Sequence, residues 1–318
     1  MKNNRGLRAF SLIEISIVLL IIGILVAGVT QSSRLIAQSK INSAKAMTQS
    51  APVSSVKNLM LWIETTSEAS FDDTEEDEGL ALTNWYDINP QVSVKSSFAG
   101  TTTARPLYKN NIINGLPAVL FDGTNDFMTS ANFPNIITGA STVFIVAKLP
   151  STLASRPIFS KRPSAAFGSS APNIQLSTHA TAATGWQYCD AAATATDGTT
   201  CNYTAATTSV ATSGNYVVSL VYTANSATGS GTSTASGFNF FQDGVGKGYG
   251  ATTGGTTPNL SVTASLFLGK DGTSSPAFYN GYLGELIIFD RALKKEERQS
   301  IEAYLGKKWG IAMTVASY

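Results

Sequence analysis

The residues best suited to chemistry lie in the acidic run FDDTEEDEG at positions 71–79. Retaining glycoside hydrolysis needs two carboxyl groups about 5–5.5 Å apart, and Glu75 and Asp77 come nearest to such a pair. The run lacks flanking strand-like residues, which favours a solvated acidic loop over a catalytic site. We therefore expect no catalytic residues here.

The same loop is the best candidate for a metal. Hard cations such as Ca²⁺ are bound by about six to eight oxygens from carboxylates and carbonyls. The available oxygen donors are Asp72, Asp73, Glu75, Asp77, Asp87 and Asn89. Calcium is the one cofactor that the residues suggest, as an alternative to a purely solvated loop.

Other catalytic or metal sites have little support. The single histidine, His179, lies in the loop-like stretch LSTHATAATG, which is a poor setting for a Ser/His/Asp triad. The C-x-x-C spacing of zinc sites is absent. We expect the protein not to be an enzyme.

Two cysteines, Cys189 and Cys201, lie in one polar region, close enough for a chain that doubles back to bridge them. A local disulfide is expected if the region is exported, and two free thiols are the alternative. Trp186, Tyr188 and Tyr203 surround the pair. Aromatic rings beside polar groups suit the faces of sugars, so these three residues are the candidate ligand site. Trp186 fits a place in the core equally well.

One further acid, Glu14, lies inside the apolar run from Phe10 to Val29. A helix of about 20 apolar residues spans the hydrocarbon of a bilayer. A charged side chain there costs about 2.5–3.5 kcal/mol on insertion scales. Glu14 is therefore expected to be functional and to have a partner.

Periodicity predicts the elements that position these residues. Helical spacing continues to about Ser50, and Pro52 ends the helix. The β-rich segments that follow are LMLWIE (59–64), PAVLFD (117–122), STVFIVAKL (141–149), YVVSLVY (216–222), FNFFQ (238–242), ASLFLG (264–269) and GELIIFD (284–290). The turn-forming dipeptides that separate or flank them are Asn114–Gly115, Asp122–Gly123, Asp243–Gly244 and Asn280–Gly281. This pattern predicts an antiparallel sandwich or jelly roll.

A last helix, at about 294–308, is predicted to dock on the strands through one face. That face carries Ile301, Tyr304, Leu305 and Trp309. Trp62, Trp85 and Trp309 are predicted to lie in the core. The Ala/Thr/Ser/Gly-rich segment 177–236 is predicted to form long loops and weak strands. The fold class is therefore α+β.

The composition fits an exported globular protein. An apolar content of 43% supports a sizeable core, and charged residues make up only 14%. The net charge is +1, and Lys2, Arg5 and Arg8 all precede the apolar run. Nucleic-acid binders concentrate cations on one face, so no nucleic-acid partner is expected.

The basic leader followed by Phe10, Ser11, Leu12, Ile13 and Glu14 resembles the class III signal of type IV pilins and pseudopilins. The resemblance covers about the first 40 residues. It implies that a prepilin peptidase cuts between Ala9 and Phe10 and that the new N-terminus is methylated. It also implies that Glu14 pairs with the α-amino group of Phe10 of a neighbouring subunit, an attraction strengthened in a low-dielectric core.

One departure from that family concerns the cut. The preceding residue is usually glycine, whereas here it is Ala9, with Gly6 three places earlier. A cut after Gly6 would make Glu14 the eighth mature residue, whereas a cut before Phe10 makes it the fifth, as in the family. We therefore favour the second cut. A secretory signal or plain anchor over residues 1–29 is the alternative, but it leaves the acid unexplained.

Segments between about Lys57 and Ile311 resemble the concanavalin A-like, laminin-G-type jelly rolls of bacterial surface proteins. The most diagnostic is YNGYLGELIIFDRALKKEERQSIEAYLGKKWGI (279–311). The resemblance implies a β-sandwich that binds glycans or proteins, in some relatives with calcium. Glucanases of that superfamily carry an E-x-D-x-x-E pattern, and here Leu80 replaces the third carboxylate.

Together these features predict a leader (1–9), a pilin helix (10–51) and a jelly-roll head (52–318). The predicted function is a type IV pilin-like subunit, minor or at the filament tip, that displays a lectin-like adhesive head. The alternatives are a major pilin with a large head and a pseudopilin of a type II secretion-like system. Expected partners are other pilin subunits, prepilin peptidase, the inner membrane, and glycans or surface receptors. The expected location is the inner membrane and then the extracellular pilus.

Overall fold

The computed structural model describes residues 11–130, 133, 140–150, 156–161, 174–178, 186–190, 202–205, 213–222, 238–247, 265–270 and 277–314. These residues form a long helix α1 (Leu12–Gln49), a 3-10 helix (Pro52–Ser55), a set of strands and a C-terminal helix α2 (Lys295–Trp309). The strands are β1 (Leu59–Glu64), β2 (Asn84–Tyr86), β3 (Ser97–Gly100), β4 (Leu107–Ile113), β5 (Leu116–Asp122), β6 (Met128–Ser130), β7 (Ser141–Leu149), β8 (Arg156–Lys161), β9 (Ile174–Thr178), β10 (Trp186–Asp190), β11 (Asn202–Ala205), β12 (Gly214–Tyr222), β13 (Phe238–Gln242), β14 (Val245–Gly246), β15 (Leu266–Leu268) and β16 (Asn280–Phe289).

The strands pair antiparallel in two sheets. Sheet A has the order β14-β13-β12-β7-β16-β5-β4, and sheet B has the order β11-β10-β9-β8-β15-β6-β3-β2. In sheet A, β16 is long enough to pair with two strands along one edge: residues 280–283 pair with β5, and residues 285–289 pair with β1. Strand β1, the first strand after α1, therefore pairs with a central strand of sheet A.

Strand β7 shows how sheet A is covered on both faces. Val143 and Ile145 lie in a core that also contains Trp85 of sheet B. Phe144 and Val146 point the other way, into a second cluster with residues of α1 and α2. Successive side chains of a strand point to opposite faces, so a strand buried on both sides is apolar at nearly every position. This explains the uninterrupted STVFIVAKL.

The last turns of α1 belong to the second cluster. Ala44 is buried there, with Ile41 and Met47 packed against the cluster. Beside them, the Lys40 ammonium donates to the Asn114 carbonyl at 3.3 Å. Gly115, in the turn beside Lys40, has φ +97°, a backbone conformation that favours glycine over residues with a side chain.

Most of the predicted elements are confirmed. The helix bounds fall within a few residues of the prediction, and Trp62, Trp85 and Trp309 are all buried. Asn114–Gly115 connects β4 to β5 and Asp243–Gly244 connects β13 to β14, each with two positive φ angles, as type I′ turns require.

One expectation differs from the structure. Asn280–Gly281 does not form a turn: it begins β16, where these residues pair with Asp122 and Phe121. Within the segment expected to hold long loops and weak strands, the structure describes the short strands β10 and β11, which pair with each other, and β10 also pairs with β9. The jelly-roll assignment of the two sheets stays a prediction.

Candidate functional site

The N-terminal end of α1 is closed by a reciprocal hydrogen-bond pair. Ser11 Oγ accepts from the Ile13 N–H at 3.4 Å, and Glu14 Oε2 accepts from the Ser11 N–H at 2.8 Å. This is a capping box, with Glu14 as the acidic residue of the first turn. A negative charge at this end is also stabilised by the helix dipole. Ala9 and Phe10 lie outside the described residues.

Beyond this cap, α1 is an exposed apolar rod. In the part of the chain that the structure describes, it is the one helix long and apolar enough to cross a membrane, with a mean hydropathy of 2.9 over its most apolar 18 residues. None of that window is buried. The hydroxyls of Ser16 and Ser32 donate to the carbonyls of Leu12 and Gly28, each at 2.8 Å, so they add little polarity to the surface.

A buried polar cluster joins α1 to the head. Lys308 is fully buried, and its ammonium lies 3.0 Å from Glu64 Oε2 and 2.9 Å from Glu285 Oε2. Glu285 also accepts from the Tyr304 hydroxyl at 3.1 Å, and that hydroxyl lies 3.4 Å from the Thr48 hydroxyl of α1. Burial opposes the charge on Lys308, but the carboxylates of Glu285 and Glu64 raise its pKa overall.

Two indoles complete this cluster. The Nε1–H groups of Trp62 and Trp309 each donate to Glu285 at 2.8 Å. Four polar contacts therefore converge on the Glu285 carboxylate from β1 and α2. Sequence reasoning did not find this cluster. Its only signal was the presence of charges inside apolar segments, as in LMLWIE and GELIIFD.

Two of the residues expected to bind calcium, Asp87 and Asn89, have partners within the fold. The Asp87 carboxylate accepts from the Trp62 and Asn89 N–H groups at 3.0 and 2.9 Å. Asn89 Nδ2 donates to the Leu59 carbonyl at 2.8 Å. Burial raises the pKa of Asp87, against the effect of these N–H groups. Asp87 and Asn89 thus hold a turn against β1.

Some carboxylates of the acidic loop 71–79 also accept hydrogen bonds within the fold. Asp72 accepts from the Tyr86 hydroxyl at 3.1 Å, and Glu75 accepts from the Thr83 N–H at 2.8 Å, while Asp73 and Asp77 are exposed. Across the described segments, no three His, Cys, Asp or Glu side chains form a group that could hold a metal ion. The calcium site stays a prediction.

The expected ligand residues lie on a described hairpin. Trp186 and Tyr188 are on β10, Tyr203 is on β11, and Cys189 pairs with Tyr203 across the ladder. The side chains of these residues, together with Cys201 and His179, lie outside what the structure describes. The disulfide and the glycan site therefore stay predictions.

Comparison with known families bears on the N-terminus. Residues 2–30 match the prokaryotic N-terminal methylation motif. The chain thus carries a pilin-type leader, as found in type IV pilin-like proteins or pseudopilins. The match implies processing by prepilin peptidase and assembly with other pilins. With the apolar helix, it fits anchoring in the inner membrane before assembly into a pilus.

The head is distantly similar to several solved structures. No curated protein matches the chain in sequence. Domain 4 of AbnA, an extracellular GH43 arabinanase from Geobacillus stearothermophilus solved with arabinotriose, is 15% identical, with a TM-score of 0.47, over 77% of this chain and 97% of that one. Trypanosoma rangeli sialidase in complex with sialic acid is 13% identical, with a TM-score of 0.45, over 81% of this chain. The match spans 34% of the sialidase. Likeness at this level carries no argument about function.

Proposed function

We propose that this chain is a subunit of a type IV pilus-like filament. The leader is removed before Phe10, the new N-terminus is methylated, and α1 passes from the inner membrane into the filament core. The observation that carries the proposal is the exposed apolar length of α1. From Leu12 to Ile36 its large apolar side chains are half exposed or more. Such a surface needs lipid first and other helices afterwards.

Glu14 has a specific part in this proposal. Its capping bond to Ser11 reduces the cost of the carboxylate in the membrane, because one oxygen already accepts a hydrogen bond. In the filament, the α-amino group of Phe10 of a neighbouring subunit supplies the opposite charge. Correct axial stagger of the subunits is then favoured over other staggers, since only one stagger brings the two charges together.

The head, residues 52–318, is proposed to be a jelly-roll adhesin without enzymatic activity. It has more than 250 residues, which is large for a repeating subunit and favours a minor or tip-proximal position. Its expected ligands are glycans or surface receptors, bound at the loops around Trp186, Tyr188 and Tyr203.

The test is to purify surface filaments from cells that express the chain and to determine its N-terminus by mass spectrometry. We expect the chain in the filament fraction, starting at methylated Phe10, and in small amount if it is a minor subunit. A dominant band would favour the major pilin instead. A chain that starts at Met1 or Leu7, or that never leaves the membrane fraction, would contradict the proposal.

A further inference from the structure

A cleft of about 460 Å³ opens between α1 and the head, next to Ile41, which packs against the second cluster. Arg34 and Gln38 line it on the helix side, and Glu76 and Tyr108 line it on the head side. Small-molecule sites in proteins have volumes of about 300–1,000 Å³. The cleft is therefore large enough for a group of the size of a lipid headgroup.

The position of Arg34 along α1 places one end of this cleft at a membrane surface. Between Glu14 and Arg34 the sequence contains no ionisable residue. At 1.5 Å per residue, Leu12 and Arg34 are about 33 Å apart along the helix, which matches a hydrocarbon core of about 30 Å. The cations of the leader favour a cytoplasmic N-terminus. We therefore expect Arg34 among the lipid headgroups of the opposite leaflet, on the side of the head.

Arg34 is a cation without a partner in this cleft. It is exposed, and it has no ion pair or hydrogen bond with any described residue. Lys45, the other cation of the described lining, is paired with Glu68 at 2.9 Å and also attracts Glu76. A guanidinium can donate to two oxygens of one phosphate. Arg34 therefore favours a phosphate at the end of the cleft that faces the membrane.

The head side of the cleft offers partners for hydroxyl groups. Tyr108 is only 5% exposed, and its hydroxyl has no hydrogen-bond partner in the described part of the chain. The Glu76 carboxylate beside it is half-buried. A carboxylate accepts hydrogen bonds, and a tyrosine hydroxyl both donates and accepts, so the two suit an uncharged polyol.

The charge of the described lining selects the kind of headgroup. It contains two cations, Arg34 and Lys45, and one carboxylate, Glu76. A headgroup with one net negative charge balances this excess. A zwitterionic headgroup leaves the excess uncompensated, because its own charges cancel.

We propose that this cleft binds the phosphoglycerol headgroup of an anionic lipid, such as phosphatidylglycerol, while the subunit is anchored in the inner membrane. The phosphate contacts Arg34, and the glycerol hydroxyls bond to Glu76 and Tyr108. This inference rests on the proposed function, because it requires α1 to span the membrane. Binding of the headgroup holds the head at a fixed height above the bilayer before the subunit is assembled.

The test places the full-length chain in nanodiscs that contain phosphatidylglycerol and phosphatidylcholine in equal amounts. Lipid that stays bound after mild detergent extraction is quantified by mass spectrometry. We expect the parent to retain phosphatidylglycerol in preference to phosphatidylcholine. Arg34→Gln should reduce this preference about fivefold, because it removes one basic residue at an anionic surface. Tyr108→Phe keeps the ring that packs against Phe71 and should reduce the preference about two- to threefold, through loss of one hydrogen bond.

Lys57→Gln is the matched control, because Lys57 is an exposed cation outside the cleft, and it should retain the lipid preference of the parent. An equal preference in the parent and in Arg34→Gln would overturn the inference. So would an unchanged preference in Tyr108→Phe, because the effect of Arg34 would then be a general attraction to the bilayer surface. Displacement of the lipid by an equal concentration of free glycerol phosphate would assign the cleft to a soluble phosphate instead.

This assay distinguishes failure of the inference from failure of the proposed function. It requires a chain in a bilayer and no filaments, so a parent without lipid preference overturns the headgroup site alone. A parent chain that leaves cell membranes without detergent would contradict the proposed function itself.

Discussion

Glu64 and Glu285 lie directly opposite each other in the antiparallel pairing of β1 with β16. Two like charges at such positions normally destabilise a sheet. Here Lys308 bridges the two carboxylates from α2, so that the pair becomes a site for the helix. The position of α2, and through Tyr304 that of α1, depends on this arrangement.

The first expectation concerns Lys308. Lys308→Met removes the only cation that contacts both carboxylates among the described residues, so the loss should be large. We expect the free energy of unfolding to fall by about 3–5 kcal/mol, as for other broken buried ion pairs. Lys307→Met, at the exposed neighbouring position, should change it by less than about 0.5 kcal/mol. Denaturant titration measures both, and similar values for the two variants would show that the cluster adds little to stability.

The second expectation concerns the pH dependence of stability through Asp126. Burial raises the pKa of Asp126 to about 6 from the ordinary 3.8. Because the folded value is the higher one, this group stabilises the fold fully at low pH, and its contribution is lost as the pH rises through about 6. We expect Asp126→Asn to raise stability at about pH 7.5 by about 1 kcal/mol, after allowance for solvent screening, and to have no such effect near pH 3.5.

Asp122, four residues earlier, provides a control of opposite sign. Burial opposes its ionisation, but the N–H groups of Thr124 and Asn125 hold its pKa below the ordinary value. Its contribution is present at neutral pH and lost on acidification. Asp122→Asn should therefore destabilise the protein at neutral pH and not near pH 2. Parallel pH profiles for the two variants would refute the assignment.

The third expectation tests Glu14. Glu14→Leu should insert into the membrane at least as well as the parent, because an intramembrane charge is removed. It should nevertheless enter filaments poorly, since the charge that favours correct stagger is gone. Membrane fractionation and filament yield separate these two effects. If Glu14→Leu entered filaments as well as the parent, the proposed pairing of Glu14 with Phe10 of a neighbouring subunit would be wrong.

The fourth concerns the boundary between helix and head. A fragment from Pro52 onward lacks Ala44 and Met47, which cover the outer face of sheet A. We expect a fragment from Ser39 onward to have a melting temperature several degrees higher, because each kcal/mol of lost packing shifts the midpoint of a domain this size by about 2–4 °C. Equal melting temperatures would mean that the head is complete without α1.

The sequence predicted what depends on local pattern. Helix α1, strands such as β1 and β7, and the buried face of α2 follow from periodicity and from the residues of tight turns. The prediction of a turn at Asn280–Gly281 was wrong because the pairing of Asn280 with Asp122, far away in the sequence, overrides the preference of this dipeptide for tight turns. The cluster around Lys308 could not be predicted for the same reason, because it depends on contacts between residues far apart in the sequence. Glu64 and Lys308 are 244 residues apart, and each looks like an ordinary surface charge until the fold brings them together.

The docking of α1 also has a mechanical consequence. A filament under tension pulls on the helix, and the pull reaches the head through the side chains of α2 and β5 as well as along the chain into β1. β1 in turn lies along β16, the strand that also holds β5 and β7. A force on the shaft is thus spread across the central strands of sheet A, and no single strand has to carry it alone.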